Sequence, residues 1–193
     1  MSDQDIIDNP KAQIFVNFFK NNLKRIIILL TLIIIFISSY YIFKNYKNKL
    51  DLKISENFIE AQNLINKGNK IEAKKILLEI INKKHKFYSP SALNLIQENS
   101  LVNNDNLTKE LFDKVIEIRG HDSENKNLII IKKALFLFEK GTEKQMLETL
   151  NPIINSNSVW RVQAIQILAN YFKSRGENKK SKEYLELLKA PKN

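Results

Sequence analysis

The residues best suited to chemistry in this chain are two histidines and a few carboxylates, and their spacing supports no reaction. His85 and His121 stand 36 residues apart in separate predicted connections. A metal site would also need carboxylate ligands at helical spacing, which the sequence does not supply. We interpret both as ordinary surface histidines. Asp105, Glu110 and Glu117 are interpreted as helix-start or solvent-facing residues rather than as an acid–base pair.

Other chemical signatures are also missing from the sequence. The chain has no Cys, which excludes disulfides, thiol nucleophiles and thiolate metal sites. It contains no phosphate-binding loop, zinc-protease helix or nucleophile motif. Asn106-Leu107-Thr108 fits a glycosylation sequon, but a capping and turn role explains it equally well. We therefore expect no enzyme activity, no metal or other cofactor, and no small-molecule substrate.

The element on which the chain is organised is an apolar stretch at residues 26–43, IIILLTLIIIFISSYYIF, without charge, Gly or Pro. As a helix it would span roughly 27 Å, close to the hydrocarbon thickness of a bilayer. Thr31, Ser38 and Ser39 are compatible with it, because a helical hydroxyl can donate to a carbonyl one turn earlier. The stretch predicts a single transmembrane helix.

Two alternatives to a membrane anchor are a buried core helix and a cleaved signal peptide. A core helix would have to be surrounded by the rest of the chain, in which no other segment is apolar on all sides. A signal peptide needs a small-residue cleavage site. The chain has no Ala between Ala12 and Ala61 and no Gly before Gly68. We therefore favour an uncleaved anchor.

Residues 1–25 form a short tail before the anchor. Two structures are equally compatible with segment 12–23: an amphipathic helix at the membrane interface, or an N-terminal extension of the anchor helix. Aromatic and basic side chains at both ends of the anchor favour the headgroup level, with membrane lipid as a partner. The predicted membrane-interface residues are Phe15, Phe18, Phe19, Lys24, Arg25, Tyr40 and Tyr41.

The net charge of +10 raises the possibility of nucleic-acid binding. Base-reading contacts favour Arg, however, and only Arg119, Arg161 and Arg175 follow the anchor. The lysines are scattered rather than clustered. We expect a solvated basic face near anionic lipid and no nucleic acid.

Residues 44–193 carry a repeating pattern and are predicted to form one soluble domain. Turn residues recur at Gly68, Asn104, Gly141 and Gly176, with spacings of 36, 37 and 35. A period in the mid-thirties is typical of stacked helix hairpins. Ala61, Ala134 and Ala169 each lie seven residues before a turn residue. The second repeat fits less well, and moving its turn residue to Asn103 improves the fit, so its register is uncertain by one.

The sequence predicts an all-α fold, with a single N-terminal transmembrane helix followed by a tetratricopeptide-like stack of about four helix hairpins. Pro152 is expected to kink the sixth helix of this stack or to end it early. The predicted helices span 52–66 and 70–82, 90–101 and 106–118, 126–140 and 142–154, and 159–175 and 177–189.

The concave surface of such a stack is lined by the first helix of each hairpin. We predict a partner-binding groove there. The alternative is that Ile131 and Leu135 are core residues. The groove prediction comprises Phe58, Gln62, Ile131, Leu135, Gln166 and Asn170.

The turn glycines, the preceding alanines and Ala73 resemble the small positions of the tetratricopeptide repeat. The layout from Val16-Asn17-Phe18-Phe19 to Leu188 is similar to the YfgM-like family, ancillary subunits of the bacterial Sec translocon. The resemblance includes the stretch from Tyr88 through Ala92-Leu93 to Leu107, and the helix from Trp160 to Gly176. It implies no catalytic residues. It implies translocon subunits, periplasmic chaperones or secretory clients as protein partners.

The charges flanking the anchor do not decide its orientation, since four basic residues precede it and four follow it closely. The resemblance implies a single-pass protein of the bacterial inner membrane, with a cytoplasmic N-terminus and a periplasmic C-terminal domain. A scaffold or assembly factor for another membrane or envelope complex is the alternative function. A basic nucleic-acid-binding module is a third.

Overall fold

A computed structural model describes residues 10–189, the side chains of residues 10–13, 15, 16 and 19 excepted. The described chain contains eight α-helices and no strand. It divides into two compact units, one extending to Lys53 and the other beginning at Ile54. The predicted all-α class, with a long apolar N-terminal helix followed by packed helix pairs, is confirmed.

The first helix, α1, extends from Pro10 to Asn66 over 57 residues without interruption. Pro suits its first position, where no intrahelical N–H is required. No Gly and no second Pro follows before Gly68, so nothing in the sequence breaks the helix. Segment 12–23 is continuous with the apolar helix, and its position relative to the membrane interface stays a prediction.

The part of α1 from Lys20 to Asn66 is one candidate membrane span by length and composition, with a mean hydropathy of 2.7 in its apolar window. None of that window is buried, whereas a core helix of a soluble protein would be mostly covered. The Thr31 hydroxyl donates to the Ile27 carbonyl at 2.8 Å, as expected for a hydroxyl in an apolar helix.

The second unit is a series of helix hairpins. The end of α1 shares a core cluster with α2. The further pairs are α3 with α4, α5 with α6, and α7 with α8. Each helix from α2 to α8 packs on its neighbour in sequence, and α5 also packs on α7, the first helix of the next hairpin. The bounds are α2 (Lys70–Asn82), α3 (Tyr88–Glu98), α4 (Asp105–Ile116), α5 (Ser123–Lys140), α6 (Glu143–Ile154), α7 (Arg161–Ser174) and α8 (Asn178–Glu186).

The helix starts settle the register of the second repeat. The second helix of each hairpin is preceded by Asn69, Asn104, Thr142 or Glu177 as its N-terminal cap. The Asn104 side chain accepts a hydrogen bond from the Leu107 N–H at 2.9 Å. The turn residue before this cap is therefore Asn103, equivalent to Gly68, Gly141 and Gly176.

In this register the small positions of the repeat coincide with buried sites. The residues five after each turn residue are all buried, namely Ala73, Thr108, Met146 and Ser181. The residues seven before it are also buried, namely Ala61, Ile96, Ala134 and Ala169. Side chains at these two positions lie where the two helices of a hairpin approach each other, so large polar residues are excluded from them.

The apolar stripes of these helices form two core clusters. The first lies among the end of α1, α2, α3 and α4, with Ile129 of α5, and its Leu77, Ile96 and Leu111 are fully buried. The second lies among α5, α6 and α7, with Leu150 and Leu168 fully buried. The Phe136 side chain packs against both clusters, so α5 joins the two halves of the hairpin unit.

Pro152 neither ends α6 early nor interrupts it, since the helix continues to Ile154. The expected early end of the sixth helix is therefore wrong. Pro152 instead lies in the last turn, where its missing N–H removes only one hydrogen bond near the helix end. The start of α6 is secured by reciprocal hydrogen bonds between Thr142 and Gln145.

Candidate partner-binding groove

With Asn103 as the second turn residue, the predicted groove residues fall at two positions of the repeat. Gln62, Leu135 and Asn170 lie six residues before a turn residue, and all three are exposed. The equivalent residue of the second hairpin is Gln97, which is partly exposed. Phe58, Ile131 and Gln166 lie four residues earlier, a position rotated by about 40° around the helix.

That rotation removes Ile131 from the groove. Its side chain is 4% exposed and belongs to the second core cluster. Phe58 is half-buried against the first cluster, with its ring centroid 5.6 Å from that of Tyr88. Gln166, at the equivalent position of the fourth hairpin, is exposed. Ile131 is thus a core residue, as the alternative interpretation proposed, whereas Leu135 is 55% exposed and is not.

Two cavities lie between α3 and α5, the first helices of the second and third hairpins. We call this surface the α3–α5 groove, and the two cavities the Phe136 cavity and the His121 cavity. The Phe136 cavity measures about 300 Å³. It is lined by Asn94, Gln97, Glu98, Phe112, Lys132, Leu135 and Phe136.

The base of the Phe136 cavity is aromatic. The rings of Phe112 and Phe136 lie 6.0 Å apart between centroids, tilted by 34°. Leu135 stands at its edge with more than half of its surface exposed. Lys140 lies with Nζ 5.7 Å from the Phe136 ring centroid. An apolar side chain entering this cavity would contact carbon atoms below and beside it.

The His121 cavity measures about 250 Å³ and is more polar. His121 Nε2 is buried, and no described residue forms a hydrogen bond with it. Phe87 stands beside the cavity with 64% of its surface exposed. The cavity is lined by Lys86, Phe87, Pro90, Ser91, Asn94, His121, Asn125, Leu128, Ile129 and Lys132.

Asn94 and Lys132 line both cavities. Lys132 Nζ donates a hydrogen bond to Asn94 Oδ1 at 2.8 Å, which joins α5 to α3 across the groove. Lys132 is only partly exposed. The groove therefore has a cation at its centre, with an apolar cavity on one side and a polar cavity on the other.

The other face of the stack carries a further cavity of about 350 Å³, among α4, α5 and α6. It holds Lys133, whose Nζ lies 2.5 Å from an Asp113 carboxylate oxygen. The charge of this lysine is thus balanced within the protein. Of the two lysines adjacent on α5, only Lys133 has a carboxylate partner among the described residues.

The histidines and carboxylates named in the sequence analysis do not form one cluster among the described residues. His85 Nδ1 accepts hydrogen bonds from the backbone N–H groups of Phe87 and Tyr88 and so supports the start of α3. Asp105 pairs with Lys140 at 2.6 Å, and Glu110 with Lys114 at 2.9 Å. Among residues 10–189 the structure contains no cluster of three His, Asp or Glu side chains able to hold a metal ion.

The groups with shifted pKa values lie at helix ends or in α8. The backbone N–H of Asn125 donates to Asp122 and lowers the pKa of that carboxyl group. Hydrogen bonds to Glu143 and then Glu177 raise the pKa of Lys180. Burial raises the pKa of Tyr184, whose ring stacks on Phe172 at 5.5 Å. These groups lie at the start of α5 and in α8, outside the α3–α5 groove.

The predicted membrane-interface residues are distributed along α1. Phe18, Lys24, Arg25, Tyr40 and Tyr41 are exposed, and the two tyrosine rings meet edge to face at 6.0 Å. The side chains of Phe15 and Phe19 lie outside those that the structure describes. The lipid contacts assigned to all seven stay predictions.

Sequence reasoning missed the residues of α3 that complete the groove. The predicted groove does not include Asn94 or Gln97, because the second repeat lacks the Ala that marks the neighbouring position in the others and has Ile96 there. With Asn103 as the turn residue, Gln97 aligns with Leu135. No sequence pattern marks Lys132 as a groove residue, because its lack of a carboxylate partner depends on how α3 and α5 pack.

Comparisons with known proteins found no match. No family model matches the chain, and no curated protein and no solved structure is detectably similar to it. The structure itself shows an all-helical protein with one long apolar N-terminal helix followed by packed helix pairs.

Proposed function

We propose that the chain is a membrane-tethered helical-repeat adaptor that captures protein partners in the α3–α5 groove. One observation carries the proposal: Leu135 is 55% exposed at the edge of the Phe136 cavity, on the first helix of a hairpin. A large apolar side chain exposed beside an aromatic-floored cavity is typical of protein interaction surfaces. The adaptor performs no catalytic step in this proposal and binds no nucleic acid.

The proposed place of action is the Sec translocon of the bacterial inner membrane. The N-terminus would be cytoplasmic and the hairpin domain periplasmic, where it would link emerging secretory proteins to periplasmic chaperones. The support for this is the similarity of the layout to the YfgM-like family. The candidate span in α1 would hold a recognition surface of modest affinity near its partners and raise its effective concentration there.

Photo-crosslinking in intact cells tests both parts of the proposal. A photoreactive residue replaces Gln97 or Leu135, and crosslinked partners are identified by mass spectrometry. Translocon subunits, envelope chaperones or secretory chains are expected. Subunits of a respiratory or other envelope assembly would instead favour a scaffold. A hairpin domain that survives protease digestion of spheroplasts until lysis would contradict the periplasmic location.

Capture of partners by variants tests the groove itself. Leu135→Asp is expected to abolish partner capture without loss of folding, because the side chain is mostly exposed. Ile71→Asp is the matched control, since Ile71 is 87% exposed and lines neither cavity of the groove. Unchanged capture by folded Leu135→Asp protein would refute the assignment of the groove.

A further inference from the structure

The α3–α5 groove contains a cation that has no counter-ion in the part of the chain that the structure describes. Lys132 Nζ has one hydrogen-bond partner, the neutral amide oxygen of Asn94. No carboxylate oxygen of the described residues lies within 4 Å of it. Glu98 lines the same cavity but is not paired with Lys132. Taking a lysine partly out of water without an opposite charge is unfavourable, and an arriving anion would remove that cost.

The surroundings of Lys132 indicate what kind of anion fits. Leu135 lies three residues further along α5, so it shares a helix face with Lys132. On that side is the Phe136 cavity, whose volume of about 300 Å³ and aromatic base suit one apolar side chain. A ligand that contacts both must carry a negative charge and an apolar group a few ångströms apart. Adjacent residues of a peptide chain satisfy this spacing.

We propose that the α3–α5 groove recognises a peptide segment in which an Asp or Glu stands beside a large apolar residue. The carboxylate binds Lys132 Nζ, and the apolar side chain enters the Phe136 cavity between Leu135 and Gln97. The net charge of +10 of the chain favours the approach of an acidic partner. This inference rests on the proposed function and adds the chemistry of the recognised segment.

The test measures fluorescence anisotropy of labelled short peptides with the full-length protein in lipid nanodiscs. One peptide contains Asp-Leu in a Gly-Ser background, and matched peptides contain Asn-Leu or Asp-Ser. The Asp-Leu peptide is expected to bind about tenfold more tightly than either, since a charge-assisted hydrogen bond is stronger than a neutral one. High salt is expected to reduce this preference.

Three variants identify Lys132 as the source of the preference. Lys132→Met is expected to bind Asp-Leu and Asn-Leu equally. Asn94→Asp supplies an internal carboxylate at the site of the present hydrogen bond, and is expected to remove the preference while the domain stays fully folded. Lys126→Met is the matched control, because Lys126 is an exposed lysine of α5 that lines neither cavity, and it should leave the preference unchanged.

The outcomes separate this inference from the proposed function. Equal binding of Asp-Leu and Asn-Leu by the wild type, with loss of both in Leu135→Asp, would refute acidic recognition and leave the groove in place. Retention of the preference in folded Asn94→Asp and Lys132→Met proteins would also refute it. Binding of anionic vesicles but of no peptide, lost in Lys132→Met, would assign the site to lipid and overturn the proposal. The crosslinking experiment in cells stays an independent test of partner capture.

Discussion

Trp160 Nε1 donates a hydrogen bond to the Glu124 carbonyl oxygen at 3.1 Å, which joins the starts of α7 and α5. The Glu124 side chain completes this contact. Its Oε2 accepts from the Ser158 hydroxyl at 2.7 Å and from the Val159 N–H at 3.2 Å. The backbone carbonyl and the carboxylate of Glu124 thus bind the segment that leads into α7. The position of α7 beside α5 depends on these hydrogen bonds as well as on the apolar core.

Glu124→Ala should weaken the connection between the last two hairpins. Ser158 is buried, so the variant leaves its hydroxyl proton without an acceptor, and the Val159 N–H also loses its partner. We expect the free energy of unfolding to fall by about 1–3 kcal/mol. Trp160 is the single Trp of the chain, and its fluorescence during urea unfolding measures the change. Glu148→Ala is the control, because Glu148 makes only an exposed ion pair at 3.8 Å. Equal stability of the two variants would contradict the role of Glu124.

Gly141→Ala should destabilise the third hairpin through a steric clash. A Cβ at this position would lie 2.7 Å from the Leu137 carbonyl oxygen and 2.9 Å from Leu137 Cβ. We expect a loss of about 1–3 kcal/mol of stability, measured by urea unfolding.

Gly68 provides the comparison for Gly141, because Gly68 is needed for its backbone conformation rather than to avoid a steric clash. Its φ is +81° and no atom lies within 4 Å of an added Cβ. Asn tolerates this left-handed conformation, so Gly68→Asn should cost far less than Gly141→Asn. The reverse order would refute the assignment of a steric role to Gly141.

Phe58→Asp should lower the melting temperature, although the sequence placed Phe58 in the groove beside Leu135. Its ring packs on Tyr88 and on the first core cluster, and a carboxylate there would be taken out of water unpaired. We expect a loss of about 2 kcal/mol or more, measured by thermal unfolding followed by circular dichroism. Leu135→Asp and Gln166→Asp, at exposed sites, should stay within about 0.5 kcal/mol of wild type. Unchanged stability of the Phe58→Asp protein would indicate that Phe58 is a groove residue and not a core residue.

Asp122 should make the stability of α5 dependent on pH. Its side chain caps the helix by accepting from the Asn125 N–H at 2.8 Å, which lowers its pKa in the folded state. A carboxyl group with a lowered folded pKa stabilises fully above its unfolded pKa, about 3.9, and this contribution is lost as the pH falls through the folded pKa.

Asp122→Asn isolates this charge, because Asn can still cap the helix. Wild type should melt at a higher temperature than Asp122→Asn at neutral pH, and the difference should disappear in acid. A difference that is the same at every pH would show that the charge of Asp122 is unimportant.

Removal of residues 1–43 should leave a folded domain that no longer sediments with membranes. The hairpins beginning at Ile54 form a compact unit with their own core clusters. Circular dichroism and fractionation of cell extracts measure the two properties. Membrane association of the truncated protein would show that the apolar part of α1 is not the tether. A truncated protein that fails to fold would show that the hairpins depend on it.

The sequence by itself determined the all-α class, the helix pairs and the apolar span. These features depend on local properties: runs of apolar residues, helical periodicity, and turn residues at a spacing in the mid-thirties. It also located most of the buried small positions, because Ala61, Ala134 and Ala169 recur at fixed distances from the turn glycines.

Only the tertiary structure decided which residues form the groove. The side chains of Ile131 and Leu135 are both apolar and lie one helical turn apart, yet Ile131 is buried by α6 and α7 while Leu135 faces solvent. Lys132 and Lys133 are adjacent and identical, yet α4 supplies Asp113 to one and α3 supplies only the Asn94 amide to the other. Exposure and charge compensation depend on neighbouring helices, which the local sequence around each residue does not contain.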